Sequence, residues 1–182
     1  MGALWMLVAG LLFACMGVFV KLGAAHFSST ELVFYRSLFG LAALFFVAGG
    51  RRMQLATPHW KGHLWRGLAG LASLASYFYV ITVLPLATAV TLNYTSPLFL
   101  ALVTTWLLKE RLHWPLATAV ALGFLGIALL LKPTLHEDQL GVGLLGLCSG
   151  VFACMAYVNV RELARRGEPD WRVVFYFTLI AT

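Results

Sequence analysis

The stretch ATAVTLNYTSPLFLALVTTWLL, residues 87–108, decides the fold class of this chain. It contains no charged side chain, and as an α-helix it can cross a hydrocarbon core of roughly 30 Å, which needs about 20 mostly apolar residues. Five further apolar runs flank it, at residues 3–22, 32–49, 64–83, 115–131 and 141–160. A seventh run, residues 171–182, is too short to span, so we expect the chain to stop inside a helix.

The composition is that of an integral membrane protein and excludes several other classes. Hydrophobic residues make up 61% and charged residues 11% of the 182 residues, against about 45–50% and ~25% in soluble domains. Mean hydropathy is +0.87. A soluble fold of this size cannot bury so much apolar surface. Disorder, a coiled coil and a disulfide scaffold are excluded for the same reason.

The basic residues predict how the chain is oriented in the membrane. The net charge is +6, and Lys and Arg accumulate in cytoplasmic loops. With a cytoplasmic N-terminus, ten of the 13 Lys and Arg residues fall on the inside and three on the outside. We therefore expect a multi-pass protein of the inner (plasma) membrane, with the lipid bilayer rather than nucleic acid as its partner.

Two short motifs recur along the chain. Phe-Ala-Cys-Met at residues 13–16 returns at 152–155, and Val-Phe-Tyr at 33–35 returns at 174–176. The repeat unit thus holds five predicted helices, an odd number, so the second copy enters the membrane from the opposite side. This predicts an all-α helical bundle with an inverted five-plus-five repeat, an architecture common in secondary transporters. Residues 1–132 would form the first repeat, and residues 141–182 the start of the second.

Several motifs resemble one transporter family. They are residues 10–36, LPLATA at 84–89, YTSPL at 94–98, KERL at 109–112 and GEPDW at 167–171. On these residues the whole chain resembles the EamA-like branch of the drug/metabolite transporter superfamily. The resemblance implies ten helices in two repeats and export of small metabolites or drugs by alternating access. The chain departs from that pattern by ending after about six helices, so we expect it to be truncated.

A second interpretation is a membrane protein that does not transport, either an inactive remnant or an assembly partner. The early end favours it, and a naturally short chain would have to form a homodimer to build a cavity. The sequence has no nucleophile elbow, P-loop or paired carboxylates, so we expect no enzyme activity and no cofactor. His59 and His63 have metal-ligand spacing but no third ligand nearby, so we expect no metal site.

Arg36 is the most unusual candidate site residue, because an arginine near the bilayer centre costs roughly 2.5–3.5 kcal/mol on insertion scales. It could attract a carboxylate or phosphate, which would favour an anionic or zwitterionic substrate. It could instead snorkel to the outer interface beside Glu31. The sequence leaves both roles open.

Pro97 cannot donate a backbone hydrogen bond to the Asn93 carbonyl, which leaves a polar patch inside an apolar span. This patch is either part of a substrate cavity or a tolerated kink. The other cavity candidates, whose alternative role is packing, are Tyr77, Asn93, Tyr94, Ser96, Tyr157 and Asn159. The candidate gating residues or ion pairs, whose alternative role is interfacial anchoring, are Lys21, Glu31, Glu110 and Arg111.

Overall fold

The computed structural model describes residues 2–48, 55–108, 114–134 and 139–182, and these ranges contain helices and short connections without any strand. The helices are α1 (Gly2–Gly23), α2 (Ser29–Ala48), α3 (Trp60–Val83), α4 (Leu86–Asn93), α5 (Ser96–Leu108), α6 (Trp114–Thr134), α7 (Leu140–Arg165) and α8 (Asp170–Ala181).

The predicted all-α membrane fold is confirmed. Within the described ranges, four segments are long and apolar enough to cross a membrane: Ser29–Phe46, Trp60–Val83, Leu86–Thr105 and Leu140–Arg165. Two other predicted spans, in α1 and α6, are helices with shorter apolar stretches. The short seventh run is α8. The helices therefore follow the apolar runs of the sequence, while the inverted repeat stays a prediction.

The predicted span at residues 87–108 is interrupted in the structure. α4 ends at Asn93 and α5 begins at Ser96. Pro97 thus lies in the first turn of α5, where its missing N–H leaves no intrahelical bond unmade. The Thr95 hydroxyl donates to the Leu92 carbonyl at 2.7 Å and satisfies one of the freed acceptors. Just before Pro97 the structure has a two-residue break in the helix.

Small residues on α7 allow it to cross close to this break. A Cβ on Gly150 would meet the Thr95 hydroxyl and would lie 3.2 Å from the Leu92 carbonyl oxygen. A Cβ on Gly146 would lie 2.6 Å from the Leu92 side chain. The GxxxG spacing of α7 therefore serves close packing of helix against helix, as it commonly does in membranes.

α3 is the central helix of the fold. It contacts α1, α2, α4, α7 and α8, and α7 most extensively. Near its C-terminal end, Phe78, Val80 and Ile81 are fully buried. The outer surface shows the opposite pattern, since large side chains such as Trp5 and Phe46 are exposed. Lipid would cover these side chains, as the composition predicts.

Candidate functional site

A cavity of about 410 Å³ lies among α1, α2, α3, α4, α7 and α8. Its lining is mainly apolar, with a few polar side chains. Those polar lining residues are Arg36, Arg66, Ser73, Tyr77, Asn93, Tyr94 and Tyr157. An apolar pocket with a few convergent polar groups is the usual form of a small-molecule site.

The structure brings five of the eight predicted cavity residues to this cavity: Arg36, Tyr77, Asn93, Tyr94 and Tyr157. The other three lie outside its lining. Ser96 is buried beside the helix break, and Pro97 lies on the exposed side of α5. Asn159 is near the end of α7, where its side-chain amide donates to the Met155 carbonyl at 2.9 Å. The Asn159 amide, predicted to line the cavity, is thus bonded to the backbone of its own helix.

Arg36 lines the cavity from α2. Its Nε donates to the Met16 sulfur at 3.2 Å, and a thioether is a weak acceptor. No acidic side chain from the described ranges lines the cavity. The Arg36 guanidinium is therefore held beside the cavity without a neutralising partner there.

Arg66 is a second cation in the cavity, and sequence reasoning missed it by counting it with the cytoplasmic loops. It lies on α3 together with Gly70, Ser73 and Tyr77, which also line the cavity. Their spacing of i, i+4, i+7 and i+11 places them on one helix face. This polar stripe was the sequence signal that could have identified Arg66.

The guanidinium of Arg66 is packed rather than hydrogen-bonded. Its Cζ lies 4.5 Å from the centre of the Phe177 ring, a cation–π distance. Its Nε and Nη1 atoms are buried and have no hydrogen-bond partner among the described residues. A buried guanidinium with unused donors is a ready site for an anion.

Hydrogen bonds between three helices fix the polar wall of the cavity. The Asn93 amide of α4 donates to the Ser149 hydroxyl at 3.2 Å. The Ser73 hydroxyl of α3 donates to the Ser149 carbonyl at 2.9 Å. Ser149 itself donates to the Gly146 carbonyl within α7 at 2.6 Å. These bonds satisfy buried polar groups and hold the positions of the side chains that line the cavity.

Lys21 and Glu31, two of the candidates for a gating role or an ion pair, do not pair with each other in the structure. Lys21 Nζ donates to the carbonyls of Ile81 at 2.6 Å and Leu84 at 2.9 Å, at the C-terminal end of α3. A cation is favourable there because helix C-terminal carbonyls lack partners and carry partial negative charge. Glu31 instead accepts from the Ser28 backbone N–H at 2.7 Å and caps α2.

Two other predicted gating residues, Glu110 and Arg111, lie outside the described residues.

A second charged cluster surrounds Glu168, in the turn between α7 and α8. Gly167 has a φ of 80°, and the Glu168 N–H donates to the Leu163 carbonyl at 3.1 Å. This is the C-terminal motif in which a glycine ends a helix with a left-handed residue. The turn directs Glu168 inward, so that its side chain is 3% exposed.

The Glu168 carboxylate has four polar neighbours, which come from three parts of the chain. It accepts hydrogen bonds from the Thr57 hydroxyl and from Arg172 Nη1, the latter at 2.7 Å. His59 Nδ1 lies 3.1 Å and His63 Nε2 lies 3.4 Å from its oxygens. Burial raises the pKa of this carboxyl, but the hydrogen bonds from Thr57, Arg172 and His59, together with the nearby His63, outweigh it and lower the pKa to about 2.

The Glu168 cluster is a structural junction. It joins the segment before α3, α3 itself and α8 through one carboxylate. Two histidines and a glutamate meet here, but they are not arranged to hold a metal ion. The described ranges contain no group of three or more His, Cys, Asp or Glu residues that could do so.

Taken together, these features define a polytopic helical membrane protein whose helices enclose a mainly apolar cavity with a few polar side chains. The chain belongs to the EamA-like transporter family, whose model matches residues 1–132. This family and the named relatives of the chain are membrane transporters, not enzymes.

The chain is 32% identical over 185 residues to the pseudopaline exporter CntI of Pseudomonas aeruginosa (strain UCBPP-PA14), covering 100% of this chain and 63% of that protein. It is 30% identical over 165 residues to an uncharacterized transporter of Helicobacter pylori (strain J99), covering 89% and 55%. It is 25% identical over 180 residues to an S-adenosylmethionine uptake transporter of Rickettsia prowazekii, covering 98% and 60%. The chain thus spans less than two thirds of the length of these relatives. No solved structure matches it.

Proposed function

We propose that the protein formed by this chain is a secondary transporter that moves a small anionic or zwitterionic metabolite by alternating access. Family membership and the names of the relatives support transport. The observation that supports an anionic or zwitterionic substrate is the composition of the cavity wall. Arg36 and Arg66 line the cavity, and no acidic residue from the described part of the chain does. Guanidinium groups bind carboxylates and phosphates through paired hydrogen bonds.

We propose export as the direction. The relative that is 32% identical is named an exporter, whereas the one that is 25% identical is named an uptake transporter. The greater similarity to the exporter supports export.

We also propose that residues 1–132 and 141–182 belong to two repeats of inverted topology. The recurring motif places Phe13, Ala14 and Met16 of α1 and Ala153 of α7 in the lining of the same cavity. α2 and α8, which carry the second motif, pack against each other. These placements support the repeat, because substrate sites of such folds lie between the repeats.

For the location we propose the inner membrane, with the N-terminus in the cytoplasm. Arg66 was counted on the inside and Arg36 on the outside; leaving out both cavity residues changes the count of basic residues from ten against three to nine against two. The excess on the cytoplasmic side remains, as the positive-inside rule requires. Labelling of a cysteine placed at Ser28 in a cysteine-free variant tests this: a membrane-impermeant maleimide should label it in intact spheroplasts. Labelling that requires disrupted membranes would reverse the orientation.

Transport by the Arg36→Gln variant of the full-length protein tests the proposal. Losing a charge-assisted hydrogen bond costs about 1.5–3 kcal/mol, so transport of labelled amino acids and organic acids into everted vesicles should fall at least about tenfold. Transport of cationic metabolites should change much less. Lys61→Gln is the matched control, because Lys61 is an exposed cation on α3 outside the cavity. Equal losses for acids and cations would contradict an anion-binding role.

A further inference from the structure

Arg36 and Arg66 reach the cavity from opposite ends of the bundle. Arg36 lies seven residues after Ser29, the start of α2, and Arg66 lies six residues after Trp60, the start of α3. At 1.5 Å per residue these positions are about 10 Å and about 9 Å along the helices. Because consecutive spans cross a bilayer in opposite directions, the two cations approach the middle of the cavity from its two sides.

Neither guanidinium has a carboxylate partner within the described ranges. Arg36 donates to the Met16 sulfur, and Arg66 lies over the Phe177 ring with Nε and Nη1 unused. Two like charges in surroundings of low polarity repel each other, and each is costly to bury. Anionic groups in the cavity would remove both costs.

Gly70 provides the space that the Arg66 guanidinium occupies. A Cβ at Gly70 would meet Arg66 Nη1 and would lie 2.8 Å from the Phe177 ring. Glycine inside a helix is less favourable than alanine by about 1 kcal/mol. The guanidinium therefore has a defined place, formed by a glycine on its own helix and a ring on α8.

We infer that Arg36 and Arg66 bind the two ends of a substrate that carries two acidic groups. The inference rests on the proposed function and narrows its substrate class from any anion to a small diacid. One carboxylate neutralises one guanidinium and leaves the other unpaired, whereas a diacid neutralises both. The cavity of about 410 Å³ falls within the roughly 300–1,000 Å³ typical of small-ligand pockets.

Binding by the purified full-length protein in nanodiscs tests the inference, with probes that share one carbon skeleton. Succinate, butyrate and putrescine carry two, one and no acidic groups. Succinate should bind more tightly than butyrate, and putrescine should not compete. Arg66→Gln should weaken succinate binding at least about tenfold, the loss of one charge-assisted hydrogen bond. It should weaken butyrate binding less, because a single carboxylate can still bind Arg36. The series from malonate to adipate locates the best spacing between the acidic groups.

Gly70→Ala is the second variant, since it keeps the charge of Arg66 but displaces the guanidinium; it should reduce diacid preference in the same direction. Lys61→Gln is the control, and a thermal melt of each variant shows whether it is folded. Equal loss of succinate and butyrate in Arg66→Gln, or no loss of either, overturns the inference. If butyrate and succinate both depend on Arg36 but not on Arg66, the proposed function stands and the diacid assignment fails. Absence of binding by every diacid from malonate to adipate also overturns it.

Discussion

Two clusters of charge in this molecule are built in opposite ways. In the turn between α7 and α8, the buried Glu168 carboxylate has donors from Thr57 and Arg172 and lies close to two histidines. In the cavity, Arg36 and Arg66 face a thioether and an aromatic ring. One acid is surrounded by donors, whereas the two bases have no strong acceptor in the described part of the chain.

The difference separates charge that holds the fold from charge that is available to a ligand. Burying an ion costs several kcal/mol unless hydrogen bonds and an opposite charge compensate it. The Glu168 cluster has that compensation and ties three parts of the chain together. The cavity lacks it, and uncompensated charge in a cavity is typical of a functional site. We therefore expect the two clusters to respond to substitution in opposite directions.

The largest expected effect is that of Glu168→Ala. Removing one partner of a buried ion pair costs about 3–5 kcal/mol, because the remaining groups lose their compensation. Glu162→Ala is the matched control, since Glu162 and Arg166 form an exposed pair with side chains 48% and 50% exposed. Such pairs contribute about 0–1 kcal/mol. Unfolding of both variants in detergent by urea or heat measures the loss of stability in each. Equal losses of stability in the two variants would contradict a structural role for the Glu168 cluster.

The pH dependence of stability sharpens this comparison. The pKa of Glu168 is about 2 in the folded protein, below its ordinary value of 4.5. Its contribution to stability is therefore fully present above pH 4.5 and is lost as pH falls toward 2. Wild type should lose stability over that window, and Glu168→Ala should lose less. Identical acid limbs in the two proteins would mean that other groups cause the loss.

The helices could be predicted from the sequence because the bilayer fixes the length and polarity of a span. Runs of apolar residues therefore predicted α2, α3 and α7, and the position of Arg36 inside such a run identified it as a site residue. Arg66 was missed because it lies two residues after the predicted start of its span at residue 64. A count of basic residues assigns such a position to a loop. The spacing of Arg66, Gly70 and Tyr77 shows that Arg66 shares a helix face with residues deeper in the span.

The Glu168 cluster could not be predicted, since Thr57, His59 and His63 are far from Glu168 along the chain, and only Arg172 is near it in sequence. Thr57 and Glu168 are 111 residues apart in sequence. No local pattern indicates that the segment before α3 meets the end of α7. Lys21 and Glu31 do not pair with each other for a related reason: each binds backbone groups at a helix end instead. Their gating role stays a prediction.

A smaller effect, of opposite sign, is expected for Arg66→Met. Methionine is unbranched, flexible and apolar, so it can fill the space over Phe177. The substitution loses a cation–π contact of about 0.5–2 kcal/mol but removes a buried charge whose desolvation costs several kcal/mol. Stability should stay unchanged or rise by up to about 2 kcal/mol.

Arg172→Met provides the same substitution in the satisfied cluster and should destabilise the protein, because Glu168 loses its hydrogen bond from Nη1. Thermal unfolding of the two variants in the same detergent shows what one substitution, arginine to methionine, does to stability in two different surroundings. Changes in stability of opposite sign would support a ligand-binding role for Arg66, whose charge lowers the stability of the protein. Such a cost in stability is common at functional sites. A loss in Arg66→Met as large as that in Arg172→Met would instead make Arg66 part of what holds the fold together, and the contrast between the clusters would be wrong.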